Sequence, residues 1–203
     1  MATKNFDWVQ VTESIRSSYK QNQLGWWFYS LARTFNLTNV VEVGVLGGYS
    51  AIYTMAGMPD YGYWKGYDLW TLYPYNHVSR QEAFNNIFKA DLLLDDFDLD
   101  PYGPLENVHK HILEPVDMIH VDVSNDGDTY KWCLEHLFQC IKPGGFLVME
   151  GGTIERDLIE WMKKRTPIVP IVDFLHSTVD TRVFQWELWC KVDRFPGITV
   201  FRR

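Results

Sequence analysis

Short β-branched runs alternate along the chain with longer stretches whose apolar residues recur every three or four positions. That is the pattern of an α/β protein built on a parallel sheet. From about Val11 to Phe35, the spacing of Leu24, Trp27, Phe28 and Leu31 predicts one or two helices with a single apolar face. Val40–Val45 is apolar except for Glu42, as in a strand covered on both faces. A glycine-rich turn follows; Tyr49–Met58 then predicts a helix stopped by Pro59, and Tyr63–Asp68 a second strand. After Ser79 comes a helix to about Leu94, then an acidic loop, Asp95–Asp100. Leu105–Leu113 fits either a short third strand through Val108 and Ile112 or a helix after Pro104, with the helix the better fit. Asp117–Val123 reads as a strand and Thr129–Ile141 as a helix, with Cys133 and Cys140 on one buried face. Lys142–Gly145 reads as a turn, Phe146–Glu150 as a buried strand and Ile154–Lys164 as a helix. The tail alternates over Val183–Cys190 and Ile198–Arg202 like a hairpin through Arg194–Gly197.

These elements predict a Rossmann-like, doubly wound, mostly parallel sheet with helices on both faces and a C-terminal antiparallel hairpin. At 203 residues, with no repeat or long linker, the chain reads as a single domain with an N-terminal helical segment over about residues 8–36. Its 46% hydrophobic and 22% charged residues exclude intrinsic disorder. A net charge of -7 argues against a nucleic-acid surface, whose affinity comes chiefly from Lys and Arg. No apolar run reaches the roughly 18 residues needed to span a bilayer, and the opening segment lacks the apolar core of a secretory signal. The expectation is a soluble, cytoplasmic protein. Cys133, Cys140 and Cys190 have no disulfide-framework or metal-type spacing. The 16% aromatic content fits a ring-rich core better than a ring-lined pocket or a homo-oligomer interface.

Candidate chemistry concentrates at the ends of the predicted strands, where open α/β sheets bind ligands. Val41-Glu42-Val43-Gly44-Val45-Leu46-Gly47-Gly48-Tyr49-Ser50 runs from a buried strand through glycines into a helix, so backbone amides at the helix start can meet a ligand. Leu46 stands where a dinucleotide fingerprint needs glycine, and no Gly-Lys-Ser/Thr follows, which excludes a P-loop. Asp68, twenty residues past Gly48, by spacing alone suits a nicotinamide dinucleotide as well as any other nucleoside. Asp122, Asp126 and Asp128 crowd one segment after the fourth predicted strand, and Asp128 reads as a helix N-cap. Glu150-Gly151-Gly152-Thr153 opens the next helix. It suggests a second backbone anion site with Thr153 as cap, and Glu155, Arg156 and Asp157 as first-turn charges on the surface. His120, in mid-strand, reads as a core histidine; His77, His109 and His111 receive no role.

Glu42, Gly44 and Gly48 form E-x-G-x-x-x-G, and here the chain resembles the class I S-adenosylmethionine-dependent methyltransferases. The resemblance continues through Tyr67-Asp68, Asp117-Met118-Ile119-His120-Val121-Asp122 and Lys142–Val148, in family order, and is strongest to the small O-methyltransferase-like group. It implies S-adenosyl-L-methionine as cofactor, held by Glu42, Gly44, Gly48, Ser50 and Asp68, with Asp68 on the ribose hydroxyls. It further implies a small-molecule acceptor methylated at oxygen. Position at the end of the fourth strand makes Asp122 the candidate base, and the glycine pair at the end of the fifth puts Glu150, Gly151 and Gly152 on the substrate side. Metal-dependent relatives carry an Asp-Asn pair after the fifth strand. Here Glu150-Gly151 stands in its place, so no metal is expected. The [DNS]-P-P-[YFW] motif of base-methylating enzymes is absent; Asp122-Val123-Ser124-Asn125 occupies that position. A non-catalytic binding or assembly module on the same fold is the alternative.

Overall fold

A computed structural model describes residues 7–72, 78–92, 96–100, 105–123, 125–160, 169–177 and 185–203. The chain divides into two compact units, Met1–Val108 and His109–Arg203.

The first unit contains helices α1 (Trp8–Glu13) and α2 (Gly25–Thr34), strand β1 (Asn39–Val43), helix α3 (Tyr49–Gly57), strand β2 (Tyr63–Tyr67), helix α4 (Arg80–Lys89), strand β3 (Asp96–Asp100) and helix α5 (Leu105–Val108). Strand β1 pairs in parallel with β2, and β2 with β3, in registers that include Val43↔Tyr67 and Tyr67↔Asp100. Helix α3 is buried along its whole length. Its contact with α2 is close because a Cβ on Gly57 would lie 2.4 Å from the Tyr29 carbonyl oxygen. Trp8 packs edge-on against Tyr53, with ring centroids 4.9 Å apart, and stacks on Tyr29.

The second unit contains β4 (Val116–Val121), α6 (Gly127–His136), β5 (Ile141–Glu150), α7 (Ile154–Asp157), α8 (Ile171–Ser177), β6 (Glu187–Val192) and β7 (Ile198–Arg202). Strands β4 and β5 are parallel; β7 is antiparallel to both β5 and β6. Alternating α and β elements, parallel pairs and a C-terminal antiparallel hairpin agree with the fold class expected from the sequence. So does the aromatic core: Trp8, Trp64, Tyr19, Tyr67, Tyr130, Phe28, Phe146 and Phe201 are all fully buried.

Several local expectations are corrected. The acidic segment at 96–100 is strand β3, because Asp-Phe-Asp-Leu-Asp alternates with the strand period of two and finds β2 to pair with. The Leu105–Leu113 helix is a single turn. Lys142–Gly145 is a bulge inside β5, not a turn. The register jumps from Val116↔Ile141 to Met118↔Phe146, Gly144 takes φ +82°, and the Gly144 amide donates to the Arg203 carbonyl at 2.8 Å. Helix α6 ends at His136, so Cys140 falls in a separate 3-10 turn, off the face of Cys133. The Ile154–Lys164 helix closes after one turn at Leu158; its positions 161–164 lie outside the described residues, as do His77, Ser124 and positions 183–184 of the tail.

Candidate functional site

Gly44 and Gly48 hold φ +90° and +89°, a left-handed conformation that costs a side chain dearly, and this lets the chain turn from β1 into α3. Side chains from other segments hold that turn. Asp68, just past β2, accepts from the Val45 and Leu46 amides through Oδ2, both at 2.8 Å, and from the Trp70 amide through Oδ1 at 2.8 Å. The Trp70 indole donates to the Leu46 carbonyl at 3.4 Å, and Asn86 on α4 donates to the Gly47 carbonyl at 3.0 Å. Ile15 and Ile87 lie where Cβ atoms on Gly47 and Gly48 would go, at 2.9 and 3.1 Å. Beneath the turn, the buried Ser50 hydroxyl donates to Glu42 Oε1 at 2.5 Å, tying β1 to the first turn of α3.

All five residues assigned from sequence to cofactor binding therefore meet in one place in the first unit. One detail is corrected: the amides of Val45 and Leu46 are not presented to a ligand but are bonded to Asp68. Sequence reasoning missed Trp70 and Asn86. Neither sits in a motif, and both reach the loop only through tertiary packing.

In the second unit, Asp122 follows β4 half-buried and Glu150 ends β5 buried. Arg156 grips Glu150 with a two-pronged pair, Nε to Oε1 at 2.5 Å and Nη2 to Oε2 at 3.0 Å. Arg156 is 3% exposed, which corrects its reading as a surface charge. Burial pushes the Glu150 carboxyl up from its ordinary range, and the Arg156 charge opposes that push. Burial works against the Arg156 charge too, but Glu150, then Asp122 and Asp157, outweigh it and hold the guanidinium protonated. The Glu150 carbonyl accepts from Asn125 Nδ2 at 2.8 Å and from the Tyr130 hydroxyl at 3.2 Å. Burial raises the Tyr130 hydroxyl well above its usual value, so it stays a donor. Asn125 Nδ2 also reaches the Val121 carbonyl at 2.9 Å, bracing the ends of β4 and β5 together.

The Gly151–Gly152 pair has a packing cause. Cβ atoms there would lie 2.5 Å from Ile171 Cδ1 and 2.4 Å from Thr199 Oγ1, and the Gly151 amide already donates to the Gly197 carbonyl at 2.9 Å. Thr153 caps α7 as expected, accepting from the Arg156 amide. The N-cap of α6 is Asp126, not Asp128. His120 is fully buried in β4. Among the described residues, no three His, Cys, Asp or Glu side chains come together as a metal site, and no helix is long and apolar enough to cross a membrane.

Residues 41–150 match the family model described as a methyltransferase domain. The chain belongs to the methyltransferase domain family. The matched span of this methyltransferase-family chain takes in Glu42, Gly44, Gly48, Ser50, Asp68, Asp122 and Glu150, and stops short of Gly151, Gly152 and Arg156. No curated protein matches the chain. Among solved structures, an O-methyltransferase from Bacillus cereus in complex with S-adenosylhomocysteine is similar at 19% identity and TM-score 0.64, over 97% of this chain and 89% of that one. The O-methyltransferase TomG from Streptomyces achromogenes, involved in tomaymycin synthesis and solved with S-adenosylmethionine, is similar at 15% identity and TM-score 0.62, over 98% and 89%. A methyltransferase from Geobacter sulfurreducens is similar at 17% identity and TM-score 0.64, over 98% and 89%. At these identities the likeness is one of fold, and the fold is the Rossmann-like one of the methyltransferases.

Proposed function

We propose that the chain transfers the methyl group of S-adenosylmethionine to an oxygen of a small-molecule acceptor. The observation that carries this reading is the turn from β1 to α3, formed by left-handed glycines, buttressed by the Glu42–Ser50 bond and latched by the carboxylate of Asp68. Two structures of the same fold, in complex with S-adenosylhomocysteine and S-adenosylmethionine, support it. These residues fit such a ligand: a strand-end carboxylate suits a ribose diol, and an ordered glycine turn lets a ligand approach the backbone closely. When bound, S-adenosylmethionine supplies a methyl group on an electron-poor sulfonium.

The protein's share of the work is placement. Asp68 accepts from the ribose hydroxyls while sharing its oxygens with the loop amides, so binding the nucleoside and keeping the loop shape become one act. Holding an acceptor in line with the transferred methyl is worth several kcal/mol without any covalent step. Asp122 takes the acceptor's hydroxyl proton as the oxygen becomes a nucleophile, a role worth about 10² to 10⁴ in rate. The partner is a small molecule, in line with the net charge of -7. Calorimetric titration with S-adenosylhomocysteine tests the reading, with NAD as the control. One-site binding of the first and none of the second is expected; no binding of S-adenosylhomocysteine overturns it in favour of a non-catalytic module.

A further inference from the structure

Strands β4 and β5 run parallel, and their last paired residues are Val121 and Met149. One residue further on each strand stand Asp122 and Glu150. Neighbouring strands lie about 4.8 Å apart, so the two acidic residues stand side by side at the strand ends. Asn125 fixes that juxtaposition by bonding the Val121 and Glu150 carbonyls at once. Two negative charges at such spacing, one of them buried, destabilise each other unless a cation answers them.

A divalent ion is what metal-dependent members of the resembled group use here, and the residues present do not fit one. Both Glu150 oxygens are engaged by Arg156. The guanidinium is itself buried and feels Asp122 and Asp157 besides Glu150. Asp157 is held in turn by the Val172 amide at 2.9 Å, which anchors α7, and Arg156 with it, to α8. We propose that Arg156 is a built-in counter-cation: its guanidinium balances Asp122 and Glu150 and closes the ends of β4 and β5 to divalent metal. On the reading that Asp122 takes the acceptor's proton, Arg156 is a positioning residue for it.

The test uses the full chain and manganese ion, followed by the electron paramagnetic resonance of the free ion and by melting temperature. The parent should bind no manganese at about 1 mM, whereas Arg156→Gln, with its carboxylates uncovered, should gain a bound ion and melt higher in its presence. Should Arg156→Gln be unfolded without the ion, manganese should restore its near-ultraviolet circular dichroism. Arg156→Lys, which keeps one positive charge, and Glu150→Gln/Arg156→Gln, which removes both, should bind none. A parent that binds manganese with Arg156 in place overturns the proposal. So does an Arg156→Gln chain that neither gains the ion nor is restored by it, or a double variant that still gains it. None of these readouts involves cofactor or acceptor, so a failure of the methyl-transfer reading, seen as no S-adenosylhomocysteine binding, is a separate result.

Discussion

Two strand ends in this chain look alike in sequence and differ in physics. At the end of β1, buried Glu42 precedes Gly44 and Gly48; at the end of β5, buried Glu150 precedes Gly151 and Gly152. All four glycines have positive φ. In the first case Gly44 and Gly48 turn the chain, with Ile87 3.1 Å from where a Cβ on Gly48 would lie; distant side chains hold the turn, and Glu42 Oε1 accepts from a hydroxyl eight residues on. In the second the glycines make room for Ile171 and Thr199, and the glutamate is satisfied by a full positive charge six residues on. A glutamate followed by glycines therefore marks a sharp bend at a strand end, but not which group answers the buried glutamate.

The largest effect that separates the two ends should come from Arg156. Arg156→Met leaves a buried carboxylate without its cation and should cost about 3–5 kcal/mol in urea denaturation. The pair Glu150→Leu/Arg156→Met should recover most of that loss, since a buried ion pair gives little net stability over apolar side chains. A single-variant loss under about 1 kcal/mol would place the pair with solvent-screened surface bridges. Next comes Asp68→Ala, which strips three amides of a charged acceptor. It should weaken S-adenosylhomocysteine binding by about 1.5–3 kcal/mol and also lower the melting temperature of the ligand-free chain. If affinity falls while the ligand-free melting temperature holds, the clamp on the loop is idle and Asp68 serves the ribose alone.

Gly44→Val tests the turn itself. At φ +90° a β-branched residue carries about 1–3 kcal/mol of backbone strain, so the loop should distort and S-adenosylhomocysteine binding should vanish while most of the stability remains. Full-affinity binding by this variant would move the cofactor elsewhere.

The first strand end was largely legible because its logic is local. Glu42, Gly44, Gly48 and Ser50 fall within nine residues, and Asp68 ends the next strand. What escaped is the part closed by tertiary contacts: Asn86 and Trp70 on the loop carbonyls, and Asp68 spent on amides. At the second end the local reading misled. Arg156 in a Glu-Arg-Asp run looks like a solvated first turn, and only the return of the chain onto β5 buries it. The same limit explains β3. Its residues alternate, but three aspartates in five read as a loop, and β2 supplies the partner that makes it a strand. Fold class survived these errors because it depends on the order of the elements, while each error concerned what one element meets.

The smallest effect resolves the aspartates after β4. The sequence favours Asp128 over Asp126, two residues apart at the start of a helix, as the cap. The structure gives them unequal work. Asp126 sits outside α6 with extended backbone and accepts from both the Thr129 amide at 2.8 Å and the Thr129 hydroxyl at 2.9 Å. Asp128 lies in the first turn, exposed, where its charge meets the positive end of the helix. Loss of the cap in Asp126→Ala should cost about 0.5–2 kcal/mol. Loss of the exposed charge in Asp128→Ala should cost about 0.3–1 kcal/mol and shrink further as salt is added. Paired urea titrations at low and high salt check both numbers and the contrast between them. An Asp128→Ala loss that equals or exceeds that of Asp126→Ala, and that ignores salt, would return the cap to Asp128 and shift the start of α6 by two residues.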